Sequence, residues 1–190
     1  ETEVGANAML IRVGALYHDI GKMKNPTYFI ENQSTGINPH DEMSSKESAR
    51  IIIDHVITGI EIAKKYNLPD RVIDFIRTHH GTSMVYYFYM KEKGLEDDVD
   101  KIDFCYPGPK PFSKETAILM MCDSVEAASK SLKEPTSTKI DAFVENIINK
   151  QIEEDQFLNA NITFKEIQAI KKVLKYKLAN IYHLRIEYPE

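Results

Sequence analysis

The 190-residue sequence predicts an all-α fold, and three observations carry that expectation. Apolar residues recur at three- and four-residue intervals along most of the chain. Capping residues stand ahead of several of those stretches. No segment shows the two-residue alternation of a half-buried strand, and no internal repeat or low-complexity tract interrupts the pattern.

Taken in order, Asn7 can cap a first helix running through Met9, Leu10, Val13, Leu16 and Tyr17 to the pair His18-Asp19. Residues 23–42 carry Pro26, Gly36 and Pro39 without a sustained period and read as a long loop, a length that within a domain usually has a function. Ser44 or Ser45 starts the next helix, whose apolar run is Ile51-Ile52-Ile53. Asp54 could cap a further one from His55 to Tyr66 with Val56, Ile57, Ile60 and Ala63 on one face; the pattern leaves open whether the two are continuous. Leu68-Pro69-Asp70 begins a helix with proline in its first turn, Val72, Ile73 and Ile76 facing inward, closed by His79-His80 before Gly81. A helix over 82–93 stops at Gly94, and 95–112 is an acidic, then Pro/Gly-rich connection containing Cys105-Tyr106-Pro107-Gly108-Pro109. Ser113 caps the helix bearing Ala117, Leu119, Met120, Cys122, Asp123, Val125 and Ala127. Past Pro135, helices follow at about 138–154 and 163–183, the last announced by the capping box Thr163-Phe164-Lys165-Glu166.

Chemistry concentrates in His18-Asp19, His55, His79-His80 and Asp123, which take four of the six histidines. Imidazole mixed with carboxylate suits Fe, Mn or Zn. Neighbouring residues on a helix point about 100° apart, so His18 and Asp19 cannot grip one ion as an i, i+4 pair does. At a helix end each can meet a different ion or a shared edge, and His79-His80 poses the same geometry. Glycine follows both pairs, as Gly21 and Gly81, so backbone can pass close to a ligand. Two ions about 3.5–4 Å apart, bridged by a carboxylate, form a hydrolytic arrangement for phosphate esters. Simpler roles compete at single positions. A lone histidine at a helix end is usually a surface residue stabilised by the helix dipole, the reading given to His40 and His183. Asp123 alone would be an N-cap or a salt-bridge partner.

Hydrophobic residues make up 43% of the chain and charged residues 28%, ordinary for a globular domain. The net charge of −5 and the lack of a basic stripe argue against long nucleic acid, yet suit a small anion held by metals and one or two lysines. No run approaches the roughly 20 apolar residues of a membrane helix. Cys105 and Cys122 suggest no disulfide framework; Cys122, within Ile118-Leu119-Met120-Met121-Cys122, reads as a buried reduced thiol of a reducing compartment.

The phrases Val13-Gly14-Ala15-Leu16-Tyr17-His18-Asp19-Ile20-Gly21-Lys22, Phe29-Ile30-Glu31-Asn32-Gln33 and Thr78-His79-His80-Gly81-Thr82 resemble the HD-domain metal phosphohydrolases. Within that family they are similar to the cytoplasmic domain of the seven-transmembrane, PgpH-type enzymes that cleave cyclic di-AMP. The resemblance runs from the first helix through Asp123 and weakens after about residue 135. It implies an HD-domain helical bundle: residues 1–190 as one domain, truncated at its N-terminus, with about 136–190 as a C-terminal helical extension. The domain would be the cytoplasmic part of a multi-pass bacterial membrane protein, meeting the membrane only through segments outside this sequence.

The same resemblance implies two divalent transition-metal ions, Fe or Mn first. Asp19 would bridge them, His18 and Asp123 would hold one, and His55, His79 and His80 the other. Lys22, one residue past Gly21, would bind a non-bridging phosphate oxygen as a point charge, with a solvated surface lysine as the equal alternative. Glu31, Asn32 and Asn38 in the 23–42 loop could read an adenine edge, although such residues also make ordinary turns. The implied reaction is hydrolysis of cyclic di-AMP to linear pApA.

Two departures from the family pattern matter. The family carries a further histidine on a helix upstream of the His-Asp pair, which this sequence lacks, leaving one ion a ligand short. The sister HD-GYP enzymes, which act on cyclic di-GMP, follow the His-His pair with Glu and Gly-Tyr-Pro, where this chain has Gly81-Thr82-Ser83. The alternatives are a module that senses a cyclic dinucleotide without turning it over, and an HD nucleotidase or ribonuclease with another substrate. Oligomeric state is not legible in the sequence.

Overall fold

Capping chemistry starts the helices where the sequence places it. In the computed structural model, which describes residues 4–33, 38–96, 98–133 and 135–182, the side chain of Asn7 accepts the Leu10 amide at 3.0 Å to open α1 (Ala8–Tyr17). Ser44 and Glu47 form a reciprocal capping box for α2 (Ser45–Lys65). Boxes of the same kind open α5 (Lys114–Ser129) at Ser113 and α7 (Phe164–Ile181) at Thr163, and Thr136 caps α6 (Ser137–Glu153). With α3 (Asp70–Thr78) and α4 (Tyr86–Lys93) this makes seven α-helices among the described residues, with no strand beyond an isolated bridge. The expected all-α class therefore holds.

The chain divides into two compact units: Arg12–Lys110, and Glu1–Ile11 with Pro111–Glu190. In the first, α2 is the central element. It is a single helix, so Asp54 is no cap; it lies exposed in mid-helix, 4.0 Å from Arg50. The buried stripe of α2 runs Ser45, Ser48, Ala49, His55, Val56, Gly59 and Ala63, and its small members admit close neighbours. Ile57, expected on the inner face, is 45% exposed, because that stripe lies about 100° round the helix from it. A β-carbon on Gly59 would stand 2.8 Å from Ile76, so α3 rests directly on α2 through Ala63, Ile73 and Ile76. Gly14 serves α1 in the same way, since a β-carbon there would meet the Phe75 ring at 2.5 Å. The opposite side of α1 stays open: Met9 and Leu16 are 64% and 75% exposed.

Two expectations for this unit change. The 23–42 loop is largely wound into 3-10 turns at Ile20–Lys24, Pro26–Tyr28, Ile30–Asn32 and Pro39–Glu42, with residues 34–37 outside those described. The helix expected over 82–93 begins only at Tyr86. Residues 83–85 are drawn into an extended pairing instead: Met84 bridges Cys105, the Val85 amide donates to Phe104 O at 2.8 Å, and the Tyr106 amide donates to Ser83 O at 2.9 Å. Those tertiary hydrogen bonds outweigh local helix propensity. Below them Ala49, Phe88, Tyr89 and Phe104 form a second small core.

The other unit gathers α5, α6 and α7 around Met120, Met121, Val125, Ile140, Val144, Ile148 and Ile167. Lys171 is fully buried there, with its ammonium donating to Glu145 at 2.7 Å and to Asn149 at 2.6 Å. Cys122 is a half-buried thiol beside this core, and neither it nor Cys105 is in a disulfide. His183 lies outside the described residues. No helix among the described residues is long and apolar enough to cross a membrane.

Candidate metal centre

Helix α1 ends at Tyr17, so His18 and Asp19 leave the helix before the 3-10 turn Ile20–Lys24 begins. That turn is pinned to α2 by backbone contact. A β-carbon on Gly21 would sit 1.8 Å from His55 O and 2.6 Å from Gly59 N. Gly21 thus lets two backbones touch, which brings Asp19 to His55; the expected close approach to a ligand is a close approach to α2. Gly81 works differently, taking a φ of +52° just past the histidine pair that follows α3.

The Arg12–Lys110 unit brings one atom each of Asp19, His55, His79 and His80 within 4.8 Å of one another. Asp19 Oδ1 lies 3.3 Å from His55 Nε2 and 3.5 Å from His79 Nε2; Asp19 Oδ2 lies 3.4 Å from His18 Nε2. The tautomers follow from the other ring nitrogens. Nδ1 of His18, His55 and His79 faces the carbonyl oxygen three residues earlier, of Ala15, Ile52 and Ile76, at 2.9, 2.5 and 2.8 Å. A carbonyl only accepts, so each Nδ1 carries the hydrogen, and each ring in its neutral form presents a bare Nε2.

Two consequences follow. The 3.1 Å approach of His55 Nε2 to His79 Nε2 sets lone pair against lone pair. Asp19 Oδ1, buried and without a hydrogen bond, faces those same nitrogens. Converging lone pairs around an unsatisfied carboxylate oxygen are unfavourable unless a cation joins them, so these residues fit a metal ion. Burial, with His79 and His55 adding to it, keeps His80 well below the ordinary histidine value and therefore neutral, the form that ligates.

Lys22 is no solvated lysine. Its ammonium is 2.7 Å from Asp19 Oδ2, 2.6 Å from Glu31 Oε1 and 5.2 Å from the Phe29 ring centre. Burial works against its charge, but Asp19 and Glu31 more than compensate and raise its pKa; Glu31 is lowered in turn, with burial opposing and Lys22 prevailing. Of the loop residues expected at an adenine, Glu31 is thus engaged by Lys22. Asn38 is engaged within the loop, accepting from Gln33 and from the His40 amide and donating to Asp41, each at 3.2 Å. Asn32 is exposed at the end of the 3-10 turn Ile30–Asn32. Asp123 lies half-buried within α5, in the other unit. His40 departs from its expected surface role: it is buried, its Nε2 donates to Tyr28 O at 2.9 Å, and Phe88 lies against it. The Tyr28 carbonyl and the Phe88 ring of α4 hold it, not a helix dipole.

Two aromatic residues beside the cluster were given no role from the sequence, although Phe29 lies in the family phrase Phe29-Ile30-Glu31-Asn32-Gln33. Phe29 meets His55 edge-on at 5.6 Å, and Tyr106 stacks on His80 at 4.2 Å. Neither belongs to a periodic stretch or is of a ligating type, and only the folded chain brings them there.

Residues 2–128 match the HD domain family. The cyclic-di-AMP phosphodiesterase PgpH of Bacillus subtilis is 47% identical over 187 residues, 98% of this chain. Its counterpart from Listeria monocytogenes is 46% identical over 188 residues, 99% of this chain. The chain spans about a quarter, 26%, of the length of either relative. The crystal structure of the L. monocytogenes PgpH HD domain in complex with cyclic di-AMP matches with a TM-score of 0.91 at 46% identity, covering 97% of this chain and 85% of that one. Sequence match and shared fold agree that the chain belongs to the HD domain family.

Proposed function

We propose that this domain is a metal-dependent phosphodiesterase that hydrolyses cyclic di-AMP to linear pApA. The observation that carries the metal centre is the buried, unbonded Asp19 Oδ1 facing two bare imidazole nitrogens. The choice of substrate is supported by the relatives, whose names give that activity, and by Gly81-Thr82-Ser83 standing where cyclic di-GMP enzymes carry Gly-Tyr-Pro.

In this reading Asp19 would be shared by two ions, Fe or Mn, one held also by His55, His79 and His80 and the other also by His18 and Asp123. Two such ions, when bound, supply hydroxide at neutral pH and offset charge on the phosphoryl oxygens. The chain's own groups do the rest. The carbonyls of Ala15, Ile52 and Ile76 hold the imidazoles in the ligating tautomer. Lys22 keeps its proton and offers a point charge to a non-bridging oxygen, while Glu31 fixes its ammonium beside Asp19. Asn32, with Glu31 and Asn38, lies on the loop proposed to meet the adenine, and Asn32 is the residue whose amide is exposed for it. The chain from about residue 136 is read as a C-terminal extension, begun by α6 and α7, and the parent protein as a multi-pass membrane protein with this domain on the cytoplasmic side.

The test is incubation of the metal-loaded domain with cyclic di-AMP and, in parallel, cyclic di-GMP, with products separated by chromatography and weighed by mass spectrometry. Formation of pApA, faster than any product from cyclic di-GMP, is expected. Binding of cyclic di-AMP without turnover in either Mn or Fe would make the domain a sensor, and equal turnover of both would refute the base preference.

A further inference from the structure

Three of the clustered histidines are oriented by backbone: the Nδ1–H of His18, His55 and His79 is each held by a carbonyl three residues earlier. His80 has no such tether, and among the described residues no hydrogen bond reaches its ring. Rings surround it instead. Tyr106 lies nearly parallel to it, 22° between planes and 4.2 Å between centres; His79 is tilted at 4.0 Å and His55 meets it edge-on at 5.2 Å. Tyr106 is itself firmly placed. It is 7% exposed, its amide donates to Ser83 O at 2.9 Å, and the Met84–Cys105 bridge precedes it. The 83–85 and 104–106 segments, whose pairing displaced the start of α4, therefore set a rigid aromatic plane against the one imidazole that the backbone leaves untethered.

We propose that Tyr106 is a positioning residue that sets the plane of the His80 imidazole, and so aims its ligating nitrogen at the ion shared with His55 and His79. The proposal rests on the metal reading above. An untethered ring would lose rotamer freedom each time an ion bound; a stacked ring has already lost it, and stacking does this without a hydrogen bond. The ring, not the phenolic hydroxyl, is what the role requires.

The experiment is Mn2+ titration of the metal-stripped domain, following free Mn2+ by electron paramagnetic resonance, with the site assigned as the binding that His55→Ala abolishes. Tyr106→Leu should raise the Kd of that site about 10-fold, the size seen when a group orienting a metal ligand is lost. Tyr106→Phe should stay within about twofold of the unaltered domain. Melting of the metal-free variants separates this from general loosening of the core. Unchanged Mn2+ affinity in folded Tyr106→Leu overturns the proposal, as does a loss in Tyr106→Phe as large as that in Tyr106→Leu. Should Tyr106→Leu not fold, Tyr106→Met replaces it in both comparisons. No His55-dependent Mn2+ binding by the unaltered domain is a separate failure, of the metal reading itself.

Discussion

Asp19 concentrates the electrostatics of the site: one oxygen meets His55 and His79, the other meets His18 and Lys22. If it bridges two ions, its charge offsets their mutual repulsion, and no single histidine does that. Asp19→Ala should therefore lose both ions, whereas His55→Ala should lose one; elemental analysis of the purified variants measures the difference. Wild-type metal content in Asp19→Ala would show that it is not the bridge. Lys22→Ala removes a charged donor while leaving every ligand in place. It should retain metal and raise KM by roughly 10-fold, the worth of about 1.5 kcal/mol for a hydrogen bond to a charged group. Unaltered KM would return Lys22 to a purely structural role between Asp19 and Glu31.

At the scale of elements, the 3-10 turn Ile20–Lys24 is held on α2 by the absence of a side chain. Gly21→Ala places a methyl 1.8 Å from His55 O, a backbone atom of a central helix that cannot step aside. A cost of about 3 kcal/mol is expected, at the upper end for overpacking. That corresponds to a fall of about 10 °C in Tm, with metal lost as Asp19 moves from His55. A Tm within about 2 °C of wild type, less than one kcal/mol, would show that the turn is pliable. Helix α7 gives a pH-dependent counterpart. Glu166 closes its capping box and bonds Lys114, contacts that hold its carboxyl down to about 2 against an ordinary 4.5. A depressed carboxyl contributes stability that is fully present above 4.5 and lost as pH falls through 2, because the unfolded chain takes up the proton first. Melting curves across that window should show Tm falling with pH in the wild type and a shallower fall in Glu166→Gln. Parallel curves would assign the acid sensitivity to other carboxylates.

For the whole molecule, the proposed metal binding would be linked to folding. Ions that bind the folded chain alone stabilise it by about 2.7 kcal/mol at a hundred times their Kd, or roughly 8 °C for a chain of this size. Chelation should lower the Tm of the loaded domain by that order and leave Asp19→Ala unmoved. An equal response in both would place the metal elsewhere on the chain.

The sequence by itself determined the all-α class, most helix starts and the histidines and aspartate that gather into one cluster, because these depend on local chemistry. Caps at Asn7, Ser113 and Thr163 act within one turn, and the His-Asp and His-His pairs are contiguous in the chain. What lay beyond local chemistry needed the fold. Continuity of α2 through Asp54, the extended pairing of Met84 with Cys105, and the burial of His40 beneath Phe88 each turn on partners far away in sequence. Lys22 takes Asp19, three residues back, and Glu31 over solvent only in the folded loop, a choice a periodic pattern cannot make. Tyr106 is the clearest case: nothing in a Pro/Gly-rich connection marks a ring that stacks on a histidine 26 positions earlier. Tertiary structure alone decides it, because stacking is set by distance in space and leaves no period in the chain.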